Sequence, residues 1–461
     1  MLQVKRNDAA ANCAGMTRRT FLNAGFLGAA GLSLADLFRL REAAAAEGRA
    51  PKNTACILIW LDGGPSQLDT YDPKPEAPAE IRGYFDAIET TAPGMRLSSL
   101  LAKQAKWGHR MAIVPGVHHD NGDHFAAAHW MLTGRLGSNS RDKAQKFPSV
   151  GSYVARVRGP NRADLPAYVG VPAAESVYLF PGYQGSAYLG PAYNPFAADR
   201  DHKYIGSTSK GKAHTPKLFK AAANEGRLTE RRRLLAQVDH VAAEMDRSGA
   251  MTSYDTYTQK AFELLLSRHV REAFDLDAEP EKIKQRYGES DWGRYTLLAR
   301  RLVERGVTFV TVDMPHWDHH DNIKAAIQPQ CRALDAAVHG LFSDLEERGM
   351  FDHVLVVVMG EFGRTPKLNH GLPQLGRNIP GRDHWGNAIS VMMAGGGLRM
   401  GQVVGRTDAD AAYPAESPHS PGDILATIYH VLGIDPHLVF HDGQNRPFPI
   451  LPQGKAIREL I

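Results

Sequence analysis

The chain has 461 residues, 43% of them hydrophobic and 23% charged, with a formal net charge of +4. That length supports a sizeable core without disulfide staples, and the balance is that of an ordinary globular protein. The first 46 residues carry six basic and three acidic side chains, so the remainder has a net charge of only about +1, which excludes an electrostatic case for nucleic acid or a membrane surface as partner.

The N-terminus does not read as part of the fold. "MTRRTFLNAGFLGAAGLSLADLF" sets Arg18 and Arg19 before a mild apolar run rich in Gly and Ala, and it resembles a twin-arginine export signal. "REAAAAEG" offers small residues for cleavage near Ala44 to Ala46. The expectation is a leader over residues 1–46, read by the twin-arginine machinery, and a single domain over 47–461 in the periplasm or outside the cell. The other reading is an amphipathic N-terminal helix or an uncleaved anchor. The apolar run is interrupted by polar residues and makes a poor membrane span, and no later segment is long enough for one. Cys13 falls in the leader. Cys56 and Cys331 lie in strand-like and helix-like runs, which favours two buried thiols over one disulfide.

Next in the chain comes "ACILIWLDGG" (55–64), a continuous apolar run ended by glycines, as in a strand buried on both faces. "LSSLLAKQA" reads as a helix, "RMAIVPGV" as a strand and "AYVGVP" (167–172) as another. Residues 173–226, rich in Gly, Pro, Tyr and Lys, read as an irregular insertion, and about 227–304 as a helical segment in which "LTERRRLLAQVDHVAAEM" is the clearest amphipathic piece. "GVTFVTVD" is a buried strand, followed by the helix "NIKAAIQPQCRALDAAVHGLFSDLEERG". "HVLVVVMGEFG" is strand and turn, "AISVMMAGGG" a strand, and "SPGDILATIYHVLGID" a closing helix with Ser420 as N-cap and Pro421 at its first position. This alternation predicts an α/β three-layer sandwich around a mostly parallel central sheet.

In such sheets function collects at the carboxyl ends of the strands. Here several ends finish in metal-capable residues. The first has Asp62, then Ser66, Asp69 and Asp72; the second has His118, His119, Asp120, Asp123, His124 and His129. "DMPHWDHHDN" follows "GVTFVTV" and holds Asp318, His319 and His320; Glu361 and Arg364 follow "VLVVVMG"; Asp383 and His384 precede "AISVMM". Carboxylates and imidazoles together are the usual ligands of zinc and harder divalent ions. Crowded carboxylates raise one another's pKa, and a cation removes that conflict. Individually each residue has a plainer reading as a cap, turn or core hydrogen-bonding group. His118, His119 and His319 have the weakest claim, because neighbours in a strand or turn point apart. Arg364 either steadies a bound anion or pairs with a core carboxylate.

These segments, in this order, resemble the alkaline-phosphatase-like superfamily, which includes sulfatases. "ILIWLDGG" looks like its first strand, whose terminal Asp binds metal; "HFAAAHWMLTGR" is similar to the sulfatase signature C-x-P-S-R-x-x-x-L-T-G-R. More narrowly, "GGPSQLDTYDPKP", "MLTGR", "WDHHDN", "GEFGRTPKLN" and "GRDHWGNAISVMMAGGG" resemble a large exported bacterial family, domain of unknown function 1501. The resemblance implies one or two divalent ions (zinc, calcium, magnesium or manganese) held by Asp62 or Asp69, Asp318, His320, Glu361 and His384. It also exposes departures. His124 stands where the superfamily carries its Ser, Thr or Cys nucleophile, and Glu361-Phe362 where it has Asp-His.

Two mechanisms follow for a hydrolase of phosphate or sulfate esters on a small molecule or glycan. In one, a metal-activated water attacks directly and Arg364 steadies the anion. In the other, His124 is nucleophile or general acid; Ser66 is a further nucleophile candidate, although "GGPS" more simply reads as a turn. The competing expectation is a non-catalytic binding or scaffold protein on a decayed fold, with Trp130, Trp317 and Trp385 lining a cleft.

Overall fold

The computed structural model describes residues 53–173, 183–198, 267–376 and 378–461. The expected leader, most of the expected 173–226 insertion and the "LTERRRLLAQVDHVAAEM" stretch lie outside the described residues. Asn53–Ile461 forms one compact unit.

Its frame is an eight-stranded sheet. In chain order the strands are β1 (Ala55–Trp60), β2 (Met111–Val117), β3 (Tyr168–Val171), β4 (Phe196–Ala197), β5 (Phe309–Asp313), β6 (Val354–Met359), β9 (Ile389–Gly395) and β10 (Gln402–Val403), with the short β7 (Gly363–Arg364) and β8 (His384–Trp385) pairing outside it. The spatial order is β10-β2-β9-β6-β1-β5-β3-β4. All pairings are parallel except those of β9, which runs against both β2 and β6. The mostly parallel sheet expected from the sequence is therefore present, with one reversed strand.

Each central strand feeds two cores, because successive side chains point to opposite faces. Ile57, Ile59, Val310, Val312, Val356 and Val358 face one core; Cys56, Leu58, Trp60, Phe309, Leu355 and Val357 face the other. The first core is closed by α3 (Asp291–Arg305) and α4 (Ile323–Glu347), the second by α1 (His124–Thr133), α2 (Val150–Val157) and α5 (Pro421–Val431). These are the three layers. Burial on both faces explains why the strands read as unbroken apolar runs. Cys56 and Cys331 are free and buried, on opposite sides of the sheet, and burial pushes both thiols up.

The closing helix begins as read: Ser420 accepts from Asp423 N, the Asp423 side chain returns to Ser420 N, and Pro421 opens the first turn. "LSSLLAKQA" departs from expectation. It forms two 3-10 segments, Ser99–Leu101 and Gln104–Arg110. Asp335 of α4 accepts from Lys103 N and Gln104 N at 3.0 and 2.8 Å, which starts the second segment afresh and splits the helix. Of the expected helical segment, the described part holds Arg268–Phe274, Glu281–Arg286 and α3. No described helix is long and apolar enough to cross a membrane.

Candidate metal centre

Parallel pairing sends the residues after β1, β5 and β6 to one sheet edge: Trp60 is in register with Asp313 on one side and Met359 on the other. Residues after β2 leave at the same edge, since the start of β9 at Ile389 lies beside Val117. Reversal of β9 delivers the segment that precedes it to that edge too. The β7–β8 pair then fixes His384 opposite Arg364.

The turn after β1 needs its glycines. Gly63 has φ +112°, and a Cβ there would lie 2.8 Å from Asp318 N and from Trp317 N. Gly64 has φ +79°, and its Cβ would collide with the Phe362 ring. The turn offers the Gly63 N–H to Glu361 Oε1 at 2.9 Å and the carbonyls of Gly63 and Gly64 to the Arg364 guanidinium.

Asp318 is the hub. Its Oδ1 lies 3.0 Å from His384 Nε2, 3.1 Å from His320 Nε2 and 2.7 Å from Arg364 Nη2; its Oδ2 lies 3.5 Å from His124 Nε2. The two imidazole nitrogens of His320 and His384 are 2.9 Å apart. Each of the three histidines is tied from behind through Nδ1: His320 to Asp383 Oδ1 at 2.7 Å, His384 to the Gly122 carbonyl at 2.8 Å, and His124 to Glu361 Oε1 at 2.7 Å. A carbonyl or a carboxylate only accepts, so Nδ1 donates in each case. In the neutral ring that leaves the Nε2 lone pair facing Asp318.

This arrangement fits a divalent ion. His320 Nε2, His384 Nε2 and Asp318 Oδ1 form a triangle of acceptors with edges of 2.9 to 3.1 Å, near the edge of about 3.3 Å that ligands at zinc distances span in a tetrahedron. Acceptors at that spacing repel unless a proton or a cation lies among them. Oriented imidazoles with an oxygen partner on the far nitrogen are the usual support of metal-ligating histidine. His124, Asp318 and His384 each place a ligand atom within 4.8 Å of one another.

Without an ion, protons resolve the conflict. The hydrogen bond to Asp318 raises the pKa of His320 against its burial. Burial works against protonation of His124, but hydrogen bonds to Asp318 and Glu361 prevail and raise its pKa to about 9. Burial lowers that of His384, with Asp318 opposing. Burial would raise Asp318, yet its hydrogen bonds with the three histidines, joined by the Arg364 charge, hold its carboxyl well below the usual range.

A family model described as protein of unknown function, DUF1501, matches residues 53–461. The chain belongs to the DUF1501 family. Solved structures similar to it include the lipoteichoic acid synthase LtaP from Listeria monocytogenes, at 12% identity and TM-score 0.38, with 84% of this chain and 73% of that one covered. The PsFucS1 sulfatase from Pseudoalteromonas sp. matches at 14% identity and TM-score 0.38, covering 87% and 71%. The alkaline phosphatase from the Antarctic bacterium TAB5 matches at 12% and 0.37, covering 83% and 98%. No curated protein matches.

In this DUF1501 chain the residues read as site candidates divide. Asp318, His320, His384 and His124 come together. Glu361 is placed behind His124 instead of in the triangle; it is 0% exposed, and its Oε2 has no hydrogen-bond partner among the described residues. Asp62 is buried at the end of β1, where its carbonyl accepts from Trp317 N. Asp69 is held by Arg382 Nε at 2.9 Å and Ser66 Oγ at 2.6 Å. This engagement directs its Oδ2 to protein donors, and it gives the buried Ser66 a turn role instead of a nucleophilic one. Arg364 is 0% exposed and directs its nitrogens to Asp318 and to backbone carbonyls. Of its two expected roles, the geometry favours the carboxylate pair over the anion clamp.

Two of the three histidines with the weakest claim, His119 and His319, and also His129, are buried away from the triangle. His119 contacts the Glu361 carbonyl at 2.7 Å, and His319 is buried, which lowers its pKa to about 3. His129 binds the Arg135 carbonyl, and burial lowers its pKa to about 4. Trp317 is core, stacked on Trp292, so it lines no cleft. The Gly122 carbonyl as the anchor of His384 was missed in the sequence, because a backbone acceptor leaves no signature there. Asp383 was visible as an acid beside His384, but its partner is His320.

Proposed function

We propose that this DUF1501 chain is a metal-dependent hydrolase of phosphate or sulfate esters. The observation that carries the reading is the set of three imidazoles tied through Nδ1 to oxygen acceptors, with every Nε2 turned on the one carboxylate of Asp318. Asp318, His320 and His384 would hold a divalent ion. Bound there, the ion would supply Lewis acidity to an ester oxygen and to water. Among the described residues His124 is the one best situated to move a proton. Its Nδ1 is fixed by a fully buried carboxylate, and its Nε2 faces the cage from the first turn of α1. Glu361 orients that ring, much as a carboxylate orients a catalytic histidine in a triad.

The leader supports export by the twin-arginine route to the periplasm or beyond. The substrate would be an ester of a small molecule or a glycan. The test pairs two measurements on protein from its native host: metal content by elemental analysis, and turnover of aryl phosphates and aryl sulfates. Asp318→Ala and His384→Ala should lose both metal and turnover. A wild-type protein that retains metal yet turns over neither ester favours the non-catalytic binder, a reading prompted by the absence of Ser and Cys from "HFAAAHWMLTGR" and by the fully buried Phe362.

A further inference from the structure

We infer that Arg364 is a built-in cation standing in for a second metal ion, so that the cage takes one divalent ion per chain. This rests on the reading that Asp318, His320 and His384 bind metal.

Asp62, Asp69, Asp318 and Glu361 all follow strands at one sheet edge, and such a group needs positive charge nearby. Arg364 brings it. Nε donates to the Gly64 carbonyl at 2.7 Å, Nη1 to the Arg382 carbonyl at 3.2 Å, and Nη2 to Asp318 Oδ1 at 2.7 Å, to the Trp317 carbonyl at 3.3 Å and to the Gly63 carbonyl. A ring of carbonyls plus a shared carboxylate is the surrounding of a bound cation, and the guanidinium stays charged even when buried. The oxygen it touches is the same one that His320 and His384 contact. A second ion bridged by Asp318 would therefore meet a fixed positive charge at hydrogen-bond range.

Among the described residues the remaining acids do not make up a second ligand set. Asp69 is engaged by Arg382 and Ser66, and Glu361 Oε1 by Gly63 N and His124 Nδ1. Glu361 Oε2, Asp69 Oδ1 and the buried Asp62 and Asp313 stand at the same edge, but among the described residues the acids away from Asp318 form no group of three ligand atoms within 4.8 Å of one another.

The test is a count of ions. The full chain is stripped with a chelator and reloaded separately with zinc, manganese and calcium, then weighed by native mass spectrometry and checked by elemental analysis. Wild type and Arg364→Lys should take up one ion per chain. Arg364→Met should bind its single ion at least tenfold more tightly, since Asp318 Oδ1 is released from competition. Two ions in wild type overturn the inference and leave the cage standing; none with any metal overturns the cage itself. A folded Arg364→Met protein with one ion at wild-type affinity also overturns it. If that variant does not fold, the wild-type and Arg364→Lys counts still decide.

Discussion

Replacing Asp383 separates a histidine oriented for metal from a histidine in a surface ion pair. Asp383 Oδ1 lies 2.7 Å from His320 Nδ1 and 3.2 Å from Asn369 Nδ2. Its side chain is 51% exposed, and an exposed pair contributes at most about 1 kcal/mol to stability. If His320 is a ligand, the loss appears instead in metal affinity, at about 10- to 100-fold for an outer partner. Two substitutions should divide that range. In Asp383→Asn the Asn369 amide already faces Oδ1, so the new amide group turns outward and Oδ1 still accepts from His320. Only charge is lost, and affinity should fall about tenfold. In Asp383→Ala nothing holds the proton on Nδ1, the ring can protonate Nε2 instead, and the fall should approach about 100-fold. Titration against a chromophoric chelator at fixed pH reads both, with thermal melts as the control for folding. Wild-type affinity in both variants, with unchanged melts, refutes the claim that His320 is a ligand supported from behind.

Three further outcomes follow from other parts of the molecule. Gly63→Ala forces a side chain at φ +112° with its Cβ 2.8 Å from Asp318 N; it should destabilise by about 1–3 kcal/mol from backbone strain alone and lower metal retention, read by urea melts and metal analysis. Glu279 is 7% exposed and contacts Arg300 Nη2 at 2.8 Å and Arg301 Nη1. Burial opposes its ionisation, but the Arg300 charge and the hydrogen bond to Arg301 hold its pKa below 4.5. Its contribution is therefore complete above that value and is lost as pH falls through the depressed folded value. Glu279→Gln should cost about 3–5 kcal/mol at pH 7 and flatten the acid limb of the stability curve. In ion-free protein, His124 has its pKa raised from 6.5 to about 9. The stability it contributes is thus full below 6.5 and fades as pH rises through about 9; a melting temperature of chelator-treated protein that is flat across that window contradicts the pairing with Asp318 and Glu361.

The strands were legible because burial on both faces leaves no room for alternation, and β1, β5, β6 and β9 all carry that mark. Their edge was legible too, since parallel strands deliver their ends to one side. What single residues meet there was not. Asp69 and Glu361 are the right type for ligands, but Asp69 is met by Arg382, 313 residues further on, and Glu361 by an imidazole and a backbone N–H. No local pattern encodes partners at such separations. One element of the arrangement was nevertheless open to inference. Asp318, Glu361 and His124 follow their strands, whereas His384 precedes β9. A residue that precedes a strand reaches the edge used by residues that follow strands only if its own strand runs the opposite way. Convergence of His384 with Asp318 and reversal of β9 are therefore one proposition, and the antiparallel register of Met392 with Val358 and of Met393 with Ala112 is its backbone form.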